Sequence, residues 1–189
     1  YWDHVDFVLE TARKKGIVIG LLPTWGDKIG PKLGGPVIFD APRARRYGRW
    51  LGTRYRKATN LVWILGGDRP VFAKDGTDLR PIHRAIAAGL REGDGGSHLM
   101  TFHPYGGQSS SELLHDEPWL SFNMVQSGHG RRDGTNFRFI AADYARTPIK
   151  PVLDGEPRYE AIGIGFDPKN GVFDDYDVRQ AAYWATFAG

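Results

Sequence analysis

Residues 61–70 read Leu61-Val62-Trp63-Ile64-Leu65-Gly66-Gly67-Asp68-Arg69-Pro70. The unbroken apolar run Leu61 to Leu65, closed by glycines, is the pattern of a strand buried on both faces, as in a parallel sheet. The glycines allow a sharp turn and close approach to a ligand, and Asp68 emerges at the carboxyl end of the strand. The same alternation recurs on either side. Trp2, Val5, Val8, Leu9 and Ala12 repeat at helical spacing and lead into Arg13, Lys14, Lys15 and Gly16, the cations and glycine of a helix end. Ile17 to Leu22 is a second apolar run, also read as a strand buried on both faces, and Ala44, Tyr47, Leu51 and Tyr55 mark the helix between the two runs.

Downstream, Ile82, Ala85, Ile86 and Leu90 mark a helix with Asp78 as its N-cap and Pro81 in its first turn. Leu99 to Phe102 reads as a short strand, Ser110 to Trp119 as a short helical segment and Phe122 to Gln126 as a strand. Phe137, Ile140, Ala141 and Tyr144 form a helical stripe. Ile149 to Leu153 reads as a strand that tolerates Pro151 poorly, and Asp174 to Phe187 as the last helix. Five strands alternating with helices define an α/β class with a parallel sheet. A doubly wound sheet and a (β/α)8 TIM barrel both fit. A barrel needs eight strands and typically about 250 residues, so in a barrel roughly three strands lie outside the five. With no linker, low-complexity tract or short repeat, residues 1–189 are expected to form a single domain cut from a longer protein. The chain opens on Tyr1, and no signal peptide is visible.

Composition narrows the chemistry. The 189 residues are 41% hydrophobic and 25% charged, which suits a folded core. No apolar run approaches the roughly 18 residues of a membrane span. The absence of cysteine excludes a disulfide scaffold, a thiolate zinc site and a cysteine nucleophile. The net charge is +3, and the segment from Arg43 to Lys57 holds seven basic residues and no acid. A nucleic-acid patch is one reading of it; the solvated face of a helix is the favoured one, so no nucleic-acid partner is expected. Aromatics reach 13%, a weak pointer to a sugar-lined cleft.

The loops leaving the strands are richer than those entering them. They carry Trp25 with Asp27, Asp68 with Arg69, His103 with Tyr105, the run from Ser127 to Asp133, and the run from Asp154 to Glu160. Sites of parallel α/β folds gather at this end of the sheet. Asp68 and Glu156 follow strands separated by two others, so in a barrel they face each other across the mouth. Two carboxylates across a cleft are the equipment of glycoside hydrolysis, either retaining or inverting. Arg158 could keep Glu156 ionised and Tyr159 could hydrogen-bond it. His103, His129 and Asp154 offer a different reading, a metal site in a barrel hydrolase, though no HxH or HExxH spacing supports it. Trp25 fits a sugar platform or a wedge at the barrel mouth. Ser109, Ser110 and Ser111 lack the G-x-S-x-G context of a serine nucleophile, and Gly66-Gly67 is no phosphate fingerprint.

Several of these motifs, in order, resemble the apiosidase-like glycoside hydrolases. They are Leu21 to Asp27, Trp63 to Arg69, Met100 to Ser111, Gln126 to Arg132, Val152 to Tyr159, and Phe173 to Arg179 with the Ala181-Ala182-Tyr183-Trp184 that follows. The resemblance runs from the first helix to the last residue. It implies a (β/α)8 barrel and a retaining double displacement, with Asp68 as acid/base after the fourth strand and Glu156 as nucleophile after the seventh. Asp68 would then need burial or the charge of Glu156 to stay protonated. Trp25, His103, Gln126, His129, Arg158 and Tyr159 would bind substrate. The implied substrate is an oligosaccharide or polysaccharide of plant cell-wall pectin, with release of apiose from rhamnogalacturonan side chains as the named activity. No cofactor or metal is expected, and a periplasmic or secreted location in a bacterium is implied. The family's first two strands and its eighth are not among those read here. The stretch from Ala161 to Phe166 is more Gly- and Ile-rich than the family pattern after the nucleophile loop, which would alter the rim of the site. A carbohydrate-binding protein that keeps the cleft without the chemistry is the remaining alternative.

Overall fold

Every strand expected from an apolar run is present in the computed structural model, which describes residues 1–31 and 33–189. The order is α1 (Trp2–Lys14), β1 (Ile19–Leu21), α2 (Ala41–Tyr55), β2 (Leu61–Gly66), α3 (Arg80–Asp94), β3 (Met100–His103), β4 (Gln108–Ser109), α4 (Ser111–Leu114), β5 (Asn123–Gln126), α5 (Asn136–Tyr144), β6 (Val152–Asp154) and α6 (Asp175–Phe187). β1, β5 and β6 are shorter than their runs, β2 extends one residue further to Gly66, and β3 is shifted by one residue. This is an α/β fold. Internal contacts divide the chain into two units, Tyr1–Phe102 and His103–Gly189.

In the first unit the sheet order is β1-β2-β3. β1 and β2 are parallel, with Ile19 opposite Leu61 and Leu21 opposite Trp63. Leu61, Trp63 and Leu65 are buried, whereas Val62 and Ile64 are half-buried. β1 departs from the expectation of burial on both faces. Ile17 and Val18 are 51% and 62% exposed and precede the strand, which begins at Ile19. The N-cap also shifts: Leu79 occupies that position, and the Asp78 carboxylate accepts the Arg80 N–H at 2.9 Å instead.

α2 and α3 pack backbone to backbone. Gly48 faces Ile86 and Leu90, Gly52 faces Asp94, Gly89 faces Arg49, and Gly93 faces Thr53, so the two helices run parallel. A Cβ on Gly48 would sit 2.6 Å from the Ile86 carbonyl, and one on Gly89 2.8 Å from the Arg49 nitrogen. Glycine is required here for the close approach, although it weakens a helix interior. The end of α3 is tied to the sheet by the Trp63 indole, which donates to Asp94 Oδ2 at 2.9 Å.

In the second unit the order is β4-β5-β6. β5 and β6 are parallel, with Asn123 opposite Val152 and Val125 opposite Asp154. β4, too short to read from periodicity, runs antiparallel to β5. The helix expected from Ser110 to Trp119 is the single turn α4. Pro151 precedes β6 and still serves the sheet, its carbonyl accepting the Asn123 N–H at 2.9 Å. The serine run is structural. Ser109 and Ser111 hydroxyls donate to the buried Asp143 of α5, the latter at 2.5 Å, and Ser110 Oγ accepts the Met124 N–H at 2.9 Å. α6 opens with a capping box between Asp174 and Asp177.

Candidate active site

Asp68 belongs to the first unit. Gly66, Gly67 and Asp68 have φ of 85°, 101° and 49°, so three successive left-handed residues turn the chain sharply off β2. Asp is among the few non-glycine types that tolerate this region. A Cβ on Gly67 would lie 2.9 Å from Trp25 Cε3 and 3.2 Å from Leu22 Cδ2. The Trp25 ring therefore rests against the turn that presents Asp68, with 44% of the residue exposed. Arg69 holds the turn. Its Nη1 donates to the Asp68 carbonyl at 2.6 Å and to Asp68 Oδ2 at 3.1 Å, and its Nε to the Leu33 carbonyl at 3.0 Å. Within this unit 33% of the Asp68 side chain is exposed.

Glu156 belongs to the second unit, in the loop leaving β6. Its Oε2 lies 2.9 Å from His103 Nε2, and the Tyr159 hydroxyl donates to its Oε1. His103 Nδ1 is 3.0 Å from the Pro104 carbonyl. His103 and Tyr159 thus each contact one of the two carboxylate oxygens of Glu156. The Glu156 side chain is 17% exposed, so it is largely shielded from water.

Arg158 does not take the part expected of it. It is buried, and its Nη1 donates to the Asp177 carbonyl and to Gln180 Oε1, both at 3.2 Å. Asp177 draws it away: although burial opposes this, the Asp174 N–H and the guanidinium of Arg132, with the charge of Arg158, hold the Asp177 carboxyl below its ordinary value. The groups on Glu156 are His103 and Tyr159.

Gln126, His129 and Arg158 share a cleft of about 620 Å³ between the loop after β5 and the start of α5, with Asn136 and Arg138 on its α5 side. The cleft adjoins Glu156. The Gly128 N–H donates to the Glu156 carbonyl at 2.9 Å, and the His129 ring stacks on Tyr159 with centroids 4.5 Å apart. Gln126 Oε1, Asn136 Oδ1 and His129 Nδ1 are buried without a hydrogen-bond partner. Unmet acceptors of this kind suit the hydroxyls of a sugar. The Ile-Gly-rich stretch also reaches this wall: Phe166 packs edge-on against His129 at 4.4 Å, and the Gly165 N–H donates to the His129 carbonyl at 2.9 Å. Sequence reasoning missed Asn136 and Arg138, whereas the stretch ending at Phe166 was expected to alter the rim of the site.

The residues of the metal reading do not form a ligand set. Both His103 nitrogens are committed, and Asp154 accepts from Ser127 Oγ at 2.7 Å and Asn136 Nδ2 at 3.1 Å. Burial pushes the Asp154 carboxyl above its ordinary value, against those hydrogen bonds and the charge of Arg158. Among the described residues no three His, Cys, Asp or Glu side chains are placed to hold a metal.

The whole chain superposes on glycoside hydrolases of known structure. One is described as a glycoside hydrolase family 5 protein from Bacteroides vulgatus ATCC 8482, with a TM-score of 0.88 and 38% identity over 100% of this chain and 41% of that one. Another, described as a glycoside hydrolase, has a TM-score of 0.87 and 37% identity over 100% of this chain and 44% of its own. The chain thus spans about two-fifths of the length of these structures. The family described as "Apiosidase-like, catalytic domain" matches residues 1–189, and the chain belongs to that family. No curated protein matches it.

Proposed function

We propose that this chain is the catalytic part of a retaining glycoside hydrolase acting on pectic glycans of the plant cell wall, with release of apiose from rhamnogalacturonan side chains as the specific activity. In this reading the chain contributes its strands to a (β/α)8 barrel of the parent protein. The parallel pairs β1/β2 and β5/β6 support that arrangement. Glu156 attacks the anomeric carbon while Asp68 protonates the departing oxygen. Asp68 then takes a proton from water, and that water displaces Glu156 from the sugar. Trp25, Gln126, His129 and Arg158 contact the substrate, while His103 and Tyr159 hold the nucleophile.

The observation that carries the reading is the seating of Glu156. A nucleophilic carboxylate must be ionised, shielded and fixed in orientation. His103 and Tyr159 on separate oxygens, beside a cleft with unmet acceptors, meet those needs. The test uses the full-length protein with pectic side-chain oligosaccharides, following the anomer of the first-formed product by NMR. Retention is expected, with activity lost in Asp68→Asn and Glu156→Gln while folding persists. An inverted product makes Glu156 a base. Binding without turnover across a broad glycan panel leaves a carbohydrate-binding protein, and full activity in both variants refutes the assignment.

A further inference from the structure

Three arginines of the basic segment, Arg45, Arg46 and Arg49, lie along a groove between α2 and α3. We propose that this groove is a docking track for a uronate-bearing polysaccharide, apart from Asp68 and Glu156. The choice of a glycan as the polyanion rests on the carbohydrate reading above; the groove itself does not.

The groove follows from the helix packing. Glycine contacts bring the two backbones together, so larger side chains splay outward and leave a channel of about 690 Å³. Its apolar lining comes from Ala85 and Ala88 with the prolines Pro42 and Pro81, which sit in the first turns of the two helices. The helices are parallel, so both positive dipole ends, each roughly half a charge, lie at the same end of the channel. Arg45, Arg46 and Arg49 of α2 and Arg84 of α3 line it, all exposed.

Charge sets the class of occupant. The one acid among the described lining residues is Glu92, which Arg45 already holds; Arg45 and Arg49 together keep its carboxyl below the ordinary value. Arg84 also faces Asp78, whose carboxyl it helps hold low, so the cations of the groove that form no ion pair with a described residue are Arg46 and Arg49. The cations are also of one kind: of the seven between Arg43 and Lys57, only Lys57 is not arginine. A guanidinium fork matches a planar carboxylate through two parallel hydrogen bonds, which an ammonium cannot do. A single-stranded nucleic acid would want aromatic stacking platforms, and none lines the groove. A chain of sugar carboxylates meets both the arginines and the smooth apolar lining. Holding such a chain here raises its local concentration at the active site.

The test is native affinity electrophoresis of the full-length protein through gels containing polygalacturonate, alginate or neutral dextran. Uronate gels are expected to retard the protein, less so as salt rises, and dextran is not. The exposed double variant Arg46→Gln/Arg49→Gln is expected to bind the uronate polymers roughly tenfold more weakly, with unchanged turnover of a small soluble substrate. The Glu156→Gln variant is expected to be retarded like the wild type, which separates this inference from the catalytic assignment. No retardation at low salt overturns the proposal, as does equal retardation of the double variant. Tighter binding to single-stranded DNA, lost in the same double variant, also overturns it and makes the groove a nucleic-acid surface.

Discussion

Replacing His83 with leucine isolates the pH dependence of the first unit. His83 lies on α3, is 2% exposed, and meets Phe102 edge to face with centroids 4.9 Å apart. Its Nδ1 has no hydrogen-bond partner. Burial pushes the imidazole down from 6.5 to about 4. The sign follows from linkage. The unfolded chain binds the proton more readily than the native one, so this histidine leaves stability intact above about pH 6.5 and subtracts from it as the pH falls towards 4. The full effect is about 3 kcal/mol, at roughly 1.4 kcal/mol for each pH unit between the two values. Between pH 7 and pH 5 about 2 kcal/mol of it is developed. The assay is hydrogen exchange of the segment from α3 to β3 in the full-length protein at both pH values, corrected for intrinsic rates. The wild type is expected to lose about 2 kcal/mol more protection than His83→Leu on acidification. Parallel pH dependences in the two proteins would show that the imidazole is not held neutral by burial, and the reasoning fails.

Three further outcomes follow from packing and hydrogen bonding. Gly89→Ala places a methyl against the Arg49 nitrogen and is expected to destabilise the protein by about 1–3 kcal/mol, read as a lowered unfolding midpoint; an unchanged midpoint contradicts the close helix contact. Tyr159→Phe removes the hydroxyl donor on Glu156 and is expected to lower kcat/KM by roughly tenfold to a hundredfold, with unchanged unfolding behaviour. Asp143→Ala leaves the Ser109 and Ser111 hydroxyls buried without their acceptor and is expected to lose about 2–4 kcal/mol of stability; a loss below about 0.5 kcal/mol would mean the serines find other partners.

Much of the candidate site was legible because its residues sit where strands end. Apolar runs followed by Gly66-Gly67-Asp68 and Asp154-Gly155-Glu156 announce polar side chains at strand termini. The partners of those side chains were less legible. Arg158 stands two residues from Glu156 and looked like its counter-charge, yet α6 supplies Asp177 and Gln180 to capture it. His103 is far from Glu156 in sequence, and nothing local shows that the two meet.

Local chemistry written in the sequence therefore determined the α/β class, the helix and strand order, the polar strand ends and the family. These depend on periodicity, glycine placement and short motifs, which act over a few residues. Tertiary structure alone decided which groups meet Glu156 and that arginines of α2 border a groove. Each of these depends on groups brought within a few ångströms from distant parts of the chain. For the groove, the deciding step was the backbone contact through Gly48, Gly52, Gly89 and Gly93, which spacing in the sequence leaves unpaired until the helices meet.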